Sequence, residues 1–217
     1  MKCTTIIRCR NEQEWIGHAI QSFVDHFPSG EIIVIDNNSS DMSREIIRLF
    51  DRFDIKIIEI EDYSPGKALN IGVENAKYDN ILIQSAHTVI NKVDIKKIEN
   101  NLNRYVAIFG NQVPIYLGKR ITKRYIWSNF KDNLIEENMF SSIENRYFLH
   151  NAFCFYKKSI LLEHKFDETL HGKEDRHWAS NIVAKGYVYL YDSVNLNSTH
   201  YYTNNGATWK GMGWKLE

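Results

Sequence analysis

The chain reads as an α/β fold: a Rossmann-like, mostly parallel twisted sheet with helices on both faces, in a single domain over residues 1–217. Three observations predict this. Apolar strand-like runs alternate with amphipathic stretches, β-α-β-α-β-α-β, from Cys3 to Gln84. The connections between them are tight, which with right-handed crossovers implies a doubly wound sheet. Two of the runs, EIIVID ending at Asp36 and DNILIQ ending at Gln84, are apolar through their middles, as strands buried on both faces are.

Each element follows from local pattern. A Thr- and Ile-rich strand at 3–8 runs into Arg8-Cys9-Arg10-Asn11-Glu12. Trp15, Ile16, Ala19, Ile20, Phe23, Val24 and Phe27 then recur at helical spacing until Pro28-Ser29-Gly30 stops the helix. The strand at 31–36 delivers Asp36 to its carboxyl end, followed by Asn37, Asn38, Ser39, Ser40 and Asp41. Ser40 or Asp41 can cap the next helix, which runs to Phe50. A third strand covers 55–60, and Pro65-Gly66 opens a helix at 67–76. The central strand at 79–84 ends at Ser85, Ala86 and His87. Ligands of open α/β sheets bind outside the carboxyl ends of the strands, so His87 is a candidate metal ligand.

Further on, the pattern predicts a helix at 93–102, a strand at 105–109, a strand at 151–156 and a short helix at 157–164. Residues 110–150 are irregular and carry Lys119, Arg120, Lys123 and Arg124 among Tyr116, Tyr125 and Trp127. That run reads either as a phosphate-attracting, membrane-facing surface or, the plainer case for one short basic run, as a solvated helix face. The helix after Gly172 opens on Glu174 and Asp175. Acids in a first turn suit the helix dipole, but Trp178, Ala179, Ile182 and Val183 set the buried face, so both acids are expected at the open end. Gly186-Tyr187 ends that helix, a last strand covers 188–191, and Thr199-His200 precedes an aromatic, Gly-rich tail.

Composition narrows the function. Lys+Arg and Asp+Glu balance at 27 each, which argues against nucleic acid as a partner. Cys3, Cys9 and Cys154 sit in apolar runs and are odd in number, as buried thiols of a reducing compartment would be. Neither a signal peptide nor a transmembrane run is visible, so the expected location is cytoplasmic, with the inner face of the membrane as the alternative. No GxGxxG turn follows the first strand, so a dinucleotide fingerprint is absent. Asp36 can accept hydrogen bonds from a ribose or a base, or serve only as a turn residue.

Six segments in order, TTIIRCRNEQEWI, VIDNNSSD, PGKALNIGVENA, LIQSAH, NAFCFYKKS followed by FDETL, and GKEDRHWA, resemble the inverting glycosyltransferases of family 2, with the GT-A fold, over nearly the whole chain. The spacing before Glu174-Asp175 looks like that of bacterial enzymes building capsule, O-antigen or rhamnose-containing glycans. The resemblance implies hexosyl or rhamnosyl transfer, with inversion, from a nucleotide-sugar donor to a glycan or lipid-linked glycan acceptor. It implies a donor half at 1–90 and an acceptor and catalytic half at 91–217, with peripheral membrane contact compatible. Arg8, Arg10, Asn11 and Glu12 match the loop flanking the nucleotide base, Asp36 the acid that bonds it, and Asn38 the turn behind. Lys67 and Asn70 match helix residues facing the nucleotide. Asp175 matches the catalytic base, with Glu174 beside it.

Where the family has Asp-x-Asp, this chain has Ser85-Ala86-His87. That is similar to the Asp-x-His of GT-A enzymes that add N-acetylgalactosamine to peptides, in which a later histidine also binds manganese; His200 stands where that ligand is expected. Imidazole nitrogen suits Mn2+ better than Mg2+. The alternative is metal-free, with His87 and Ser85 only hydrogen-bonding the donor. Two rivals remain. A nucleotidyltransferase would need a Gly-rich phosphate loop that RCRNEQEWIG does not supply. A non-catalytic binding module would explain Ser85 but not the retained acid pair.

Overall fold

A computed structural model describes residues 1–121 and 125–202 of the chain. The elements are β1 (Cys3–Cys9), α1 (Ile16–His26), β2 (Glu31–Asp36), α2 (Ser43–Arg48), β3 (Asp54–Glu59), α3 (Pro65–Asn75) and β4 (Asn80–Ser85). There follow β5 (Thr88–Val93), α4 (Ile95–Asn101), β6 (Ala107–Phe109), β7 (Asn111–Tyr116), β8 (Lys119–Arg120), a short 3-10 turn and β9 (Ile135–Glu137). The hairpin β10 (Phe140–Ser141) and β11 (Arg146–Tyr147) leads to β12 (Phe153–Lys157), α5 (Lys158–Glu163), α6 (Glu174–Ala184), β13 (Leu190–Asp192) and β14 (Leu196–Tyr201).

The main sheet has eight strands in the order β3-β2-β1-β4-β12-β6-β13-β9. The first four are parallel, as are β6 and β13, while β12 and β9 run against their neighbours. The core splits by strand alternation. Ile6, Ile33, Ile35, Ile81 and Ile83 face one side, against Leu69 and Val73 of α3 and Trp178 and Ile182 of α6. Ile7, Ile32, Val34 and Leu82 face the other, against Ile16, Ile20 and Phe23 of α1, Ile47 of α2 and Ile98 of α4. Period two in the strands thus puts helices on both faces.

Ser64 caps α3 by accepting the Lys67 N–H, with Pro65 at the first helical position. Gly66 is needed there for a close approach: a Cβ on it would lie 2.3 Å from the Asp167 carbonyl oxygen. Asp41 accepts the Ser43 N–H at 3.0 Å from one position before the Ncap, Met42, rather than capping from the Ncap itself.

The sequence reading missed a second sheet, β5-β14-β7-β8. Residues 88–93 begin as a strand and not as loop before the helix, and the stretch at 196–201 that carries His200 is the strand between β5 and β7. Both strands alternate buried and part-exposed positions over short, polar segments, and their partners are distant in sequence. Lys123, Arg124 and the tail beyond Tyr202 lie outside the described residues.

Candidate active site

A cleft of about 390 Å³ opens at the carboxyl ends of β1 and β4. Arg8 and Ser85 are paired across those two parallel strands, so both reach the same edge. The loop after β1 adds Arg10 and Glu12, and the turn after β4 adds His87. The lining is completed by His150 and Asn151 before β12, by Lys173, Glu174 and Asp175 at the start of α6, and by His200 on β14. Such a volume, lined by convergent polar groups at strand ends, is what a small-molecule site requires.

The two acids, expected at the open end of the helix, stand at the first turn of α6 and line the cleft. Both are buried and held by arginines. Arg8 Nη1 donates to Glu174 Oε1 at 2.8 Å. Arg176 Nη1 donates to both oxygens of Asp175, at 2.8 and 2.7 Å, and the Asn151 N–H donates to Oδ2 at 3.1 Å. Burial alone would push the Asp175 carboxyl up; the Arg176 guanidinium, with His150 and these hydrogen bonds, outweighs it and holds the group below its ordinary value. Burial opposes the charge on Arg8 too, but the Glu174 carboxylate raises its pKa above normal. Asp175 is therefore a fully ionised carboxylate aimed at the cleft, with its basicity reduced by its neighbour.

Histidines line the same cleft. The Glu12 carboxylate accepts from His87 Nδ1 at 3.1 Å, and the His87 and His200 rings lie 4.9 Å apart, centroid to centroid. Burial, then His87 and His150, keep His200 neutral, far below the ordinary imidazole value. Glu12 Oε2 is buried with no hydrogen-bond partner in the structure. Among the described residues no group of three His, Cys, Asp or Glu is arranged to hold a metal. Two imidazoles sharing a cation, with metal–nitrogen bonds of about 2.0–2.1 Å, put their centroids roughly 5 Å apart. The 4.9 Å separation of the His87 and His200 rings is of that size.

Arg8, Arg10, Glu12, Ser85, His87, Glu174, Asp175 and His200 are therefore brought to one cleft. Five candidates are not among its lining. Asn11, at φ 55°, accepts the Ser40 N–H, and Asn38 is an exposed turn residue at φ 53°. Asp36 is wholly buried; its Oδ2 accepts from the Ser39 N–H at 3.2 Å and from Arg44 Nε at 2.7 Å, while its neighbour Asn37 reaches the cleft. Lys67 donates to the Glu61 carbonyl. Asn70 ties α3 to the loop after α5, through Phe166 and Glu168. Sequence reading missed His150, Asn151, Lys173 and Arg176. Arg176, next to the acid pair, carried a signal in hindsight; His150 carried none, because its partners lie on other strands.

Comparison with known proteins fits this geometry. A family model described as "Glycosyl transferase family 2" matches residues 4–169. The poly-beta-1,6-N-acetyl-D-glucosamine synthase of Staphylococcus epidermidis is 34% identical over 88 residues, 39% of this chain and 21% of that protein. This chain thus spans about a fifth of that relative in the match, at 21%. The GalNAc(5)-diNAcBac-PP-undecaprenol beta-1,3-glucosyltransferase of Campylobacter jejuni is 24% identical over 215 residues, 91% of this chain and 68% of that one. Among solved structures, S. aureus TarS 1–349 with UDP-GlcNAc superposes with a TM-score of 0.71 at 19% identity, over 95% of this chain and 60% of that one. The mannosyltransferase PcManGT of Pyrobaculum calidifontis, with GDP-Man and Mn2+, gives 0.66 at 16%, over 96% and 59%. The architecture is that of a GT-A glycosyltransferase, and the family match over most of the chain settles its place: it belongs to glycosyl transferase family 2.

Proposed function

We propose that the chain is an inverting glycosyltransferase, taking a hexosyl or rhamnosyl group from a nucleotide-sugar donor to a glycan or lipid-linked glycan acceptor in bacterial surface-polysaccharide synthesis. One observation carries the reading: a carboxylate held ionised, Asp175, lines the same cleft as the imidazoles of His87 and His200. In this reading residues 1–90 form the donor half and 91–217 the acceptor and catalytic half. The relatives' activities, glycan synthesis and transfer to an undecaprenol-linked glycan, favour those acceptor classes. Among the described residues no helix is long and apolar enough to cross a membrane. We propose a cytoplasmic location, or one at the inner membrane face.

The acceptor hydroxyl gives its proton to Asp175 and attacks the anomeric carbon opposite the departing diphosphate. Arg8 and Arg10 supply positive charge near the leaving group, and Ser85 a hydroxyl donor. A cation at His87 and His200, with Mn2+ favoured over Mg2+, would neutralise that diphosphate; the metal-free alternative leaves this to the arginines. Incubation with UDP-, GDP-, dTDP- and CMP-sugars, followed by assignment of the product anomer, tests the reading. Transfer with the donor's configuration kept would refute inversion; donor binding without transfer or hydrolysis would make the chain a binding module.

Asp36→Asn should weaken nucleoside diphosphate binding by about 1.5–3 kcal/mol. Asp36 Oδ1 is buried with no partner in the structure, while Oδ2 holds the turn. An Asn can keep the turn with its oxygen, and then offers an N–H where a base imide needs an acceptor. Calorimetry with the nucleoside diphosphate checks this; unchanged affinity removes Asp36 from the donor site.

His87→Ala should reduce Mn2+ affinity at least about tenfold, or about 1.4 kcal/mol, measured with nucleoside diphosphate present. Transfer should fall in parallel. Full wild-type activity in EDTA, with no Mn2+ binding, would leave His87 as a hydrogen-bond donor to the diphosphate only.

A further inference from the structure

Gln112 sits on β7, buried between two histidines that are distant in sequence. Its Nε2 lies 3.1 Å from His150 Nδ1, and its Oε1 lies 3.1 Å from His200 Nδ1. The roles of these atoms can be worked out from one fixed donor. The backbone N–H of Ala152 lies 3.3 Å from His150 Nδ1, and a backbone N–H can only donate. His150 Nδ1 is therefore an acceptor, and the neutral ring carries its proton on Nε2. The Gln112 atom facing that nitrogen must then be its amide nitrogen. Its carbonyl oxygen is left facing His200 Nδ1, which must in turn donate. Thr88 Oγ1, 3.5 Å from the same nitrogen, can donate or accept and does not alter the result.

We propose that Gln112 is a positioning residue that sets opposite tautomers in two cleft histidines: His200 with its proton on Nδ1 and a lone pair on Nε2, His150 with a donor on Nε2. His87 stands beside this pair, its Nδ1 3.1 Å from Glu12 Oε1 and its ring centroid 4.9 Å from that of His200. Both Gln112 partners are buried, and the Ala152 N–H facing His150 Nδ1 excludes a proton on that nitrogen. A neutral ring has only one proton, so a single amide decides which nitrogen of His200 is basic. A leucine could fill the space but would leave that choice open. The proposal deepens the reading of His87 and His200 as the cation end of the cleft, yet its test needs neither metal nor donor.

The test is long-range proton–nitrogen NMR on protein labelled with 15N-histidine at neutral pH, with signals assigned through single histidine variants. In the wild type, His200 should show a protonated Nδ1 and a bare Nε2, and His150 the reverse. In Gln112→Leu, His150, still held by the Ala152 N–H, should keep its tautomer, while His200 should shift to Nε2–H or to an average of the two. A wild-type His200 protonated on Nε2, or a Leu variant in which His200 does not change, overturns the proposal. The wild-type spectrum decides even if the variant folds poorly. Failure of transfer assays would refute the enzymatic reading and leave these spectra untouched.

Discussion

Asp175→Asn is expected to lower the transfer rate by about 10²–10⁴-fold, the usual contribution of a positioned general base. Donor affinity should stay close to wild type, because a base for the acceptor hydroxyl need not touch the donor diphosphate, where its negative charge would repel. Asn keeps the shape of the side chain and one acceptor oxygen, but cannot take a proton. It also turns an N–H towards Arg176, which now donates to both carboxylate oxygens. A lost charged hydrogen bond costs about 1.5–3 kcal/mol, so rates must be read well below the melting temperature of the variant. Glu174→Gln should harm transfer less if Asp175 is the base, since Gln keeps an acceptor oxygen for the Arg8 guanidinium. The reverse ranking would exchange the two roles. Near wild-type transfer by Asp175→Asn at saturating donor would end the base assignment.

Arg176→Met should destabilise the fold by about 3–5 kcal/mol, the range for removing one partner of a buried ion pair. Arg176 is only 5% exposed, and its guanidinium also lies 4.8 Å from the Phe148 ring centroid. Methionine replaces much of the volume but leaves Asp175 charged, buried and without its counter-ion. The pH dependence gives a second check. In the wild type the Asp175 carboxyl is held below its unfolded value, so the stability it contributes is complete above the unfolded pKa. That contribution is lost as pH falls through the lower, folded value. In the Met variant burial acts without the guanidinium, so the folded carboxyl should rise above its unfolded value and become a liability at neutral pH. Urea unfolding at about pH 7 and about pH 4 should therefore show the gap between the two proteins narrowing on acidification. A gap that is constant with pH, or below about 1 kcal/mol, would make the pair equivalent to a surface bridge.

The same residues show how far local pattern reaches. The strand at 31–36, the helix carrying Ile16, Ile20 and Phe23, and the capped α3 were all legible, because burial on a strand or a helix repeats every two or about every 3.6 residues along the chain. The motif order that resembles family 2 was legible as well, because Ser85-Ala86-His87 and Glu174-Asp175 each sit at the end or start of such an element. The alternation therefore determined the class of fold, and the strand ends determined where the cleft would open.

Only the tertiary structure decided what each cleft residue touches. The strand holding His200 is short and polar, and its pairing with β5 and β7 joins segments some hundred residues apart, such as Thr199 with Val89 and Val113. Nothing periodic marks such a partner. Asn70, which the motif suggests for the nucleotide, is held by the Phe166 backbone, and Asp175, which the motif suggests as the base, is held by the residue beside it. Gln112 gave no signal at all, since its meaning lies in His150 and His200 on either side of it. Hydrophobic burial repeats along a chain and so can be read from it. The charge state, tautomer and reach of a polar group depend on partners that folding brings from elsewhere, and only their positions in space determine them.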